Sequence, residues 1–220
     1  MRWSTNLAYA VGLITTDGCL SIDGRHIDLT SKDKDQIKTF AKLLNLKNKI
    51  GLKYSGSQKE KIYCRIQFGN VKFYRFLIKI GLSPHKSKTL GILLIPNKFF
   101  RDFLRGHLDG DGCIISYEDR YNTPINPKYV YQRLMTYFMS ASKPHMEWLQ
   151  MRIKNSLDIQ GALLKRKPNE ERYATTWTLK FSKKESIILL NWLYYSPSVP
   201  YLKRKYRKAK PYLASTTSGT

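Results

Sequence analysis

Two stretches of the sequence set an acid before a glycine in the same context. Ala10-Val11-Gly12-Leu13-Ile14-Thr15-Thr16-Asp17-Gly18-Cys19 recurs as Leu104-Arg105-Gly106-His107-Leu108-Asp109-Gly110-Asp111-Gly112-Cys113, so the acid returns from position 17 to position 111, an offset of 94 residues. Apolar spacing predicts a helix over 4–17 and its copy over 98–111, each closed by a glycine suited to the position after a helix end. Both acids then fall in the last helical turn. The partial negative charge there makes a carboxylate unfavourable by about 0.3–1 kcal/mol. The chain has 39 Lys plus Arg against 16 Asp plus Glu, a net charge of +23, and could easily have avoided acids at these two places. A hard divalent cation resolves the conflict, because carboxylate and helix-end carbonyl oxygens are the ligands Mg²⁺ accepts. A solvated Asp-Gly turn accounts for one copy. Two copies against a +23 background favour joint use of the acids.

The elements that must position them repeat as well. Gly12 and Thr16 lie four apart, as do Gly106 and Gly110, and residues four apart share a helix face. Such small-residue faces let two helices approach closely, so the two copies are expected to pack on each other. Ser31-Lys32 and Ser142-Lys143 each precede an apolar periodic run, and Arg65–Gly69 matches Thr178–Ser182. The first half reads as helix 4–17, strands 19–22 and 25–30 about an Asp23-Gly24 turn, helix 33–46, strands 49–54 and 62–68 about Ser55-Gly56-Ser57, and helix 71–80. The second reads as helix 98–111, strands 113–117 and 129–140, helix 143–156, strands 162–166 and 173–181, and helix 183–195. A basic segment, Tyr201–Lys210, follows, and Ala214–Thr220 is expected to fray. The chain is therefore expected to be α+β, in two pseudo-symmetric αββαββα halves, 1–95 and 96–220, joined by a short link at Ile95-Pro96-Asn97 and packed into one body.

Composition narrows the class. With 220 residues and 42% hydrophobic content a core can form, which excludes a wholly disordered chain. The cationic excess calls for a polyanion, nucleic acid before an anionic membrane. No secretory signal or bilayer-spanning apolar run is evident. Cys19, Cys64 and Cys113 are too few and too scattered for a disulfide scaffold or zinc ribbon, and read as three buried free thiols in a reducing intracellular compartment. His26, His85, His107 and His145 lack ligand spacing; His107 reads as an interface or core residue. No P-loop, dinucleotide fingerprint or serine triad is present.

Strand alternation adds an interface. Ile62, Cys64, Ile66 and Phe68 read as core, leaving Lys61, Tyr63, Arg65 and Gln67 outward. Trp177, Leu179 and Phe181 read as core, leaving Thr176, Thr178 and Lys180 outward. Arg25, Lys49 and Lys53 extend the cationic face. A half-buried sheet with such a face suits a DNA major groove, although a merely solvated face has the same alternation. Lys203, Arg204 and Arg207 crowd the C-terminal segment and suit phosphate contacts.

The two motifs resemble those of single-chain LAGLIDADG homing endonucleases, and the resemblance covers nearly the whole chain. The second copy matches well. The first departs at the sixth motif position, where Thr15 replaces the usual acid; the eighth, the family's metal-binding position, is Asp in both. The resemblance implies motif helices at a pseudo-twofold interface and antiparallel sheets forming a saddle over double-stranded DNA. It implies Mg²⁺, two or three ions shared between Asp17 and Asp111 with the carbonyls of Thr16 and Gly110, Ca²⁺ or Mn²⁺ being able to substitute in binding. Hydrolysis of one phosphodiester per strand across the minor groove follows. Gln67 and Lys180 would position water or shield charge. Lys205, with Lys86 as its first-half counterpart, would stabilise charge on the phosphate, or simply anchor it.

Unlike halves imply a monomer acting on an asymmetric target without a membrane. An RNA-splicing maturase that binds intron RNA, or a non-catalytic DNA-binding regulator, stands as the alternative. The host, whether bacterial, archaeal or organellar, is not legible in the sequence.

Overall fold

A computed structural model describes residues 1–54, 62–166 and 175–214. The first half runs α1 (Thr5–Asp17), β1 (Gly18–Leu20), β2 (His26–Ser31), α2 (Lys34–Leu43), β3 (Ile50–Tyr54), β4 (Ile62–Gly69) and α3 (Val71–Lys79). The second runs α4 (Phe100–Asp109), β5 (Cys113–Asp119), β6 (Tyr131–Ser140), α5 (Lys143–Leu157), β7 (Ala162–Arg166), β8 (Thr176–Phe181) and α6 (Lys183–Leu193), followed by α7 (Lys203–Ala209). Each half is thus the expected αββαββα unit. Each contains one four-stranded antiparallel sheet, ordered β1-β2-β4-β3 and β5-β6-β8-β7.

α1 and α4 pack against each other through the small residues. A Cβ added at Gly12 would lie 2.1 Å from the Phe103 carbonyl oxygen, and one at Gly106 would lie 2.1 Å from that of Tyr9. Further along, a Cβ at Gly110 would lie 1.8 Å from Thr16 Oγ1. The contacts advance together along both helices, so the helices run in parallel and bring their C-terminal ends to one place.

Each sheet covers its helices with one face and leaves the other open. Ile27, Leu29, Ile66 and Phe68 are buried in the first half; Ile114, Leu134, Phe138, Leu179 and Phe181 are buried in the second. The expected core face of β4 is shorter than its alternation suggests. Ile62 is exposed, because this end of the strand extends beyond the helices that cover Ile66 and Phe68.

Several expectations need correction. α4 ends at Asp109, so Asp111 lies in the turn beyond the helix, not in its last turn. Gly18 is extended, with φ −89°, and is not a left-handed cap. Its need for glycine is steric: a Cβ there would lie 2.6 Å from Ile14 Cα, and one at Gly112 would lie 2.6 Å from the Leu108 carbonyl oxygen. In both halves the strand leaves so close to the helix end that no side chain fits. The thiols are not buried, since Cys19 is exposed and Cys64 and Cys113 are half-buried. Cys19 and Cys113 are the first outward positions of their strands.

The link between halves is also longer than Ile95-Pro96-Asn97. An irregular segment over 81–96 buries Leu82, Leu90, Leu93 and Ile95. Ser142 Oγ donates to the Leu90 carbonyl and His145 Nδ1 bonds the Gly91 carbonyl, fastening the segment to α5. Lys61, Ser55-Gly56-Ser57, Tyr173-Ala174 and residues 215–220 lie outside the described residues.

The helix contact has a direct test. Gly106→Ala is expected to lower stability by about 2 kcal/mol or more in urea unfolding, through overpacking against backbone. Gly51→Ala, whose Cβ would meet nothing within 4 Å, is expected to stay within about 1 kcal/mol of the parent. Equal effects would contradict the close helix pair.

Candidate metal site and nucleic-acid interface

The parallel pair gathers Asp17 and Asp111 at one end. A Cβ at Gly110 would lie 3.3 Å from Asp17 Oδ2, so the first acid sits against the end of the second motif helix. Burial, reinforced by the charge of Asp111, pushes the Asp17 carboxyl up to about 7, against the weaker pull of Lys205, Gln36 and Lys86. Burial likewise raises Asp111, while Lys205 and Lys86 oppose the rise. Burial thus leaves both carboxyls with raised proton affinity despite the two lysines beside them.

Two buried lysines stand at related places. Lys205 Nζ donates to the carbonyl oxygens of Leu108, Asp109 and Gly110 at 2.7, 2.8 and 2.8 Å. Lys86 Nζ donates to the Gly18 carbonyl oxygen, just past α1. Lys205 therefore satisfies carbonyls that the end of α4 leaves without intrahelical partners, while Lys86 holds the first carbonyl of the strand that leaves α1. Burial lowers both lysines, Lys205 to about 8, while nearby acids pull the other way.

The supports of the two lysines differ. Asp109 Oδ2 accepts from Tyr9 Oη at 2.7 Å and from the Leu202 backbone N–H at 2.8 Å. Buried Arg105 donates to the carbonyls of Pro200 and Leu193, at 2.8 and 2.9 Å, and pairs with Asp102. These bonds on α4 hold the chain that delivers α7 and Lys205. In the first motif Thr15 stands where Asp109 does, and its hydroxyl bonds its own helix at Val11. Lys86 arrives instead on the segment between the halves.

Gln67 and Lys180 occupy matching rows. Cys19 faces Asp28, which faces Gln67; Cys113 faces Tyr137, which faces Lys180. Each row starts two residues past a motif acid and crosses the outward sheet face. Gln67 is exposed, and Lys180 is half-buried with Nζ 5.9 Å from the Tyr137 ring centroid. Tyr63, Arg65, Lys53, Thr176 and Thr178 share the outward parity expected of them. Arg25 lies at the β1–β2 turn and Lys49 just before β3, both exposed. On α7, Lys203 and Arg207 are exposed, whereas Arg204 Nε reaches across to Asp33 of the first half at 2.9 Å.

The sequence reading missed Gln36. It is buried on α2, and its Nε2 donates to Asp17 Oδ2 at 3.4 Å and to the Asp109 carbonyl at 3.3 Å, while its Oε1 accepts from Ser31. A polar residue beside Ile37 in an amphipathic helix carries no signal that it points inward. It also missed the stacking of His107 on His145, with Nε2 atoms 3.1 Å apart. These histidines are 38 residues apart in sequence, and only the fold joins them.

The donor set fits a hard divalent ion. Asp17 and Asp111 offer carboxylate oxygens with raised proton affinity, and among the described residues no third His, Cys, Asp or Glu joins them. Such a set leaves coordination positions for water or phosphate oxygen, as Mg²⁺ prefers. The Gly110 carbonyl already accepts from Lys205, and Thr16 Oγ1 bonds the Leu13 carbonyl at 3.0 Å. No helix among the described residues is long and apolar enough to cross a membrane.

No protein-family profile and no curated protein sequence matches this chain. Its fold matches solved structures. The homing endonuclease I-WcaI bound to its DNA recognition sequence aligns with TM-score 0.64 and 12% identity, over 95% of this chain and 88% of that one. I-DmoI in complex with DNA and Ca aligns with TM-score 0.56 and 16% identity, over 92% and 96%. Full-length DUF199/WhiA from Thermatoga maritima aligns with TM-score 0.55 and 15% identity over 97% of this chain, which spans 63% of that protein. The chain therefore has the fold of LAGLIDADG homing endonucleases, shared with DUF199/WhiA.

The acid site imposes a pH signature. A carboxyl held near 7 when folded, against about 3.9 when unfolded, stabilises the protonated fold, and that contribution is lost as pH rises through this window. Asp17→Asn removes the Asp17 share of this dependence. The stability of the variant relative to the parent is expected to rise between about pH 4 and 7, by up to about 1.4 kcal/mol per pH unit. Urea unfolding without divalent ions measures the difference, and a pH-independent difference would contradict the buried-acid geometry.

Proposed function

We propose that the protein is a site-specific double-strand DNA endonuclease of the homing type, acting as a monomer on an asymmetric duplex with Mg²⁺. The observation that carries this reading is the meeting of Asp17 and Asp111 at one end of a parallel helix pair. From that end two cationic sheet faces begin. The fold of DNA-bound homing endonucleases supports it. An I-DmoI variant solved with target DNA in the presence of Mn adds support for a divalent metal.

Asp17 and Asp111 would hold the ion or ions, with the Thr16 and Gly110 carbonyls beside them. When bound, the metal would polarise the scissile phosphates, activate water and stabilise the leaving 3′ oxygens. The chain's own residues supply the rest. Lys205 and Lys86 keep positive charge near the phosphates and pin the two helix ends, so the acids hold their separation. Gln36 fixes the orientation of the Asp17 carboxylate. Gln67 and Lys180, in the rows that start two residues past each acid, orient water or shield charge on the outward face. Arg25, Lys49, Lys53, Tyr63, Arg65, Thr176 and Thr178 would face the major groove, and Lys203, Arg204 and Arg207 the phosphates. A second reading, nucleic-acid binding without cleavage, keeps the same cationic faces, and the fold also occurs in a structure described as DUF199/WhiA and not as an endonuclease.

A randomised duplex library incubated with the protein in Mg²⁺ or Ca²⁺, followed by sequencing of cut ends, separates the two. Staggered breaks at one sequence are expected in Mg²⁺. Asp17→Asn or Asp111→Asn is expected to slow cutting by about 100-fold or more while binding in Ca²⁺ survives. Binding without cutting by the parent would favour the second reading, and parental rates in either variant would overturn the metal assignment.

A further inference from the structure

The described strands contain three acids: Asp28, Glu118 and Asp119. Two of them, Asp28 and Asp119, have outward parity, and each is bonded to an arginine on the neighbouring strand. Arg65 Nη2 donates to Asp28 Oδ2 at 2.8 Å. Arg133 donates to Asp119 Oδ2 through Nε at 2.9 Å and Nη2 at 2.8 Å. Both pairs are diagonal, but in opposite senses and on different strand pairs, β2 with β4 and β5 with β6. Asp28 faces Gln67 while Arg65 faces Thr30; Asp119 faces Tyr131 while Arg133 faces Tyr117.

Exposed ion pairs add little stability, and a carboxylate on a face meant for DNA repels phosphates. What such a pair does provide is direction. Each carboxylate is itself held: Asp119 Oδ1 accepts from the Tyr121 backbone N–H at 3.0 Å, and Asp28 Oδ1 accepts from Thr30 Oγ1 at 3.5 Å. Arg133, gripped along one edge through Nε and Nη2, cannot swing towards the backbone phosphates; Arg65 is held through Nη2 alone, with its Nε buried and unpartnered, so its Nη groups are what a ligand can reach. Guanine presents two acceptors, O6 and N7, to such a fork in the major groove. Space is available: Arg133 is half-exposed, and Gly51, opposite Arg65, has nothing within 4 Å of where its Cβ would be.

We infer that Arg65 buttressed by Asp28, and Arg133 buttressed by Asp119, each read one guanine, one in each half of the target. This rests on the DNA-binding reading of the sheets. Arg65 is one outward position from Gln67 towards the Asp17 end of the sheet, whereas Arg133 is two from Tyr137 in the direction away from Asp111. At about 3.3 Å per strand residue, these offsets are about 7 and 13 Å. The two offsets run in opposite senses and add to about 20 Å, so with base pairs about 3.4 Å apart the second-half guanine lies roughly six base pairs further from the target centre than the first-half guanine.

Selection of randomised duplexes by the intact protein in Ca²⁺ tests this. The parent is expected to require guanine once in each half, at unequal distances from the centre. Asp119→Asn and Asp28→Asn are each expected to reduce guanine preference about tenfold at one position, leaving the other half's preference as an internal control for folding. The dependence of affinity on salt should not become shallower, because no phosphate contact is lost and the released arginine is free to reach the backbone. Uniform loss of affinity across sequences, a shallower salt dependence, or an unaltered preference would each overturn the assignment. A parent that selects no sequence would overturn the DNA reading itself, whereas a parental consensus untouched by both variants would overturn only the buttressed readers.

Discussion

The structure depends on backbone contact between two parallel helices. At Gly12 and Gly106 the helices come so near that a single added carbon would enter a carbonyl oxygen of the partner. Side chains of ordinary size would separate the axes to the usual 8–10 Å or more. The separation of the two helix ends then sets the separation of the acids that follow them. The rest of each half is a platform that holds its motif helix in place and starts a sheet immediately beyond it. Gly18 and Gly112 permit that abrupt departure, since neither position has room for a Cβ.

Electrostatics at the helix ends follow from this contact. Two carboxylates and several orphan carbonyls converge where burial strengthens every interaction. Lys86 and Lys205 relieve the carbonyls but leave the acids with raised proton affinity. The site is thus poised for further positive charge and not neutralised internally. Its two halves reach this state by different routes. Asp109, Tyr9 and Arg105 tie the C-terminal segment to α4, while Lys86 rides on the segment joining the halves. The overall symmetry therefore conceals unequal supports, in keeping with outward faces that carry different side chains in each half.

The repeat made the architecture legible. Periodicity and a 94-residue offset were enough to order fourteen elements and to pair the motif helices, because local hydrophobic patterns and glycine spacing are written along the chain. The equivalence of Gln67 and Lys180 also followed from the repeat, and the strand registers place them in corresponding rows. Contacts between distant segments were not legible. Gln36 on Asp17, His107 on His145 and Arg133 on Asp119 are joined only after folding. The exposure of the thiols is not legible either, because cysteine's usual preference for burial gives no warning that Cys19 and Cys113 begin the open sheet faces. Nothing local distinguishes Asp109 from Asp111 as the end of α4; the carbonyls that gather on Lys205 lie 95 to 97 residues from it in sequence.

The most direct measurement of the central claim is anomalous diffraction from crystals of the protein soaked with Mn²⁺. The account requires a peak bridged by carboxylate oxygens of Asp17 and Asp111. Absence of any peak there at saturating ion, or carboxylates too far apart to share one, would contradict it.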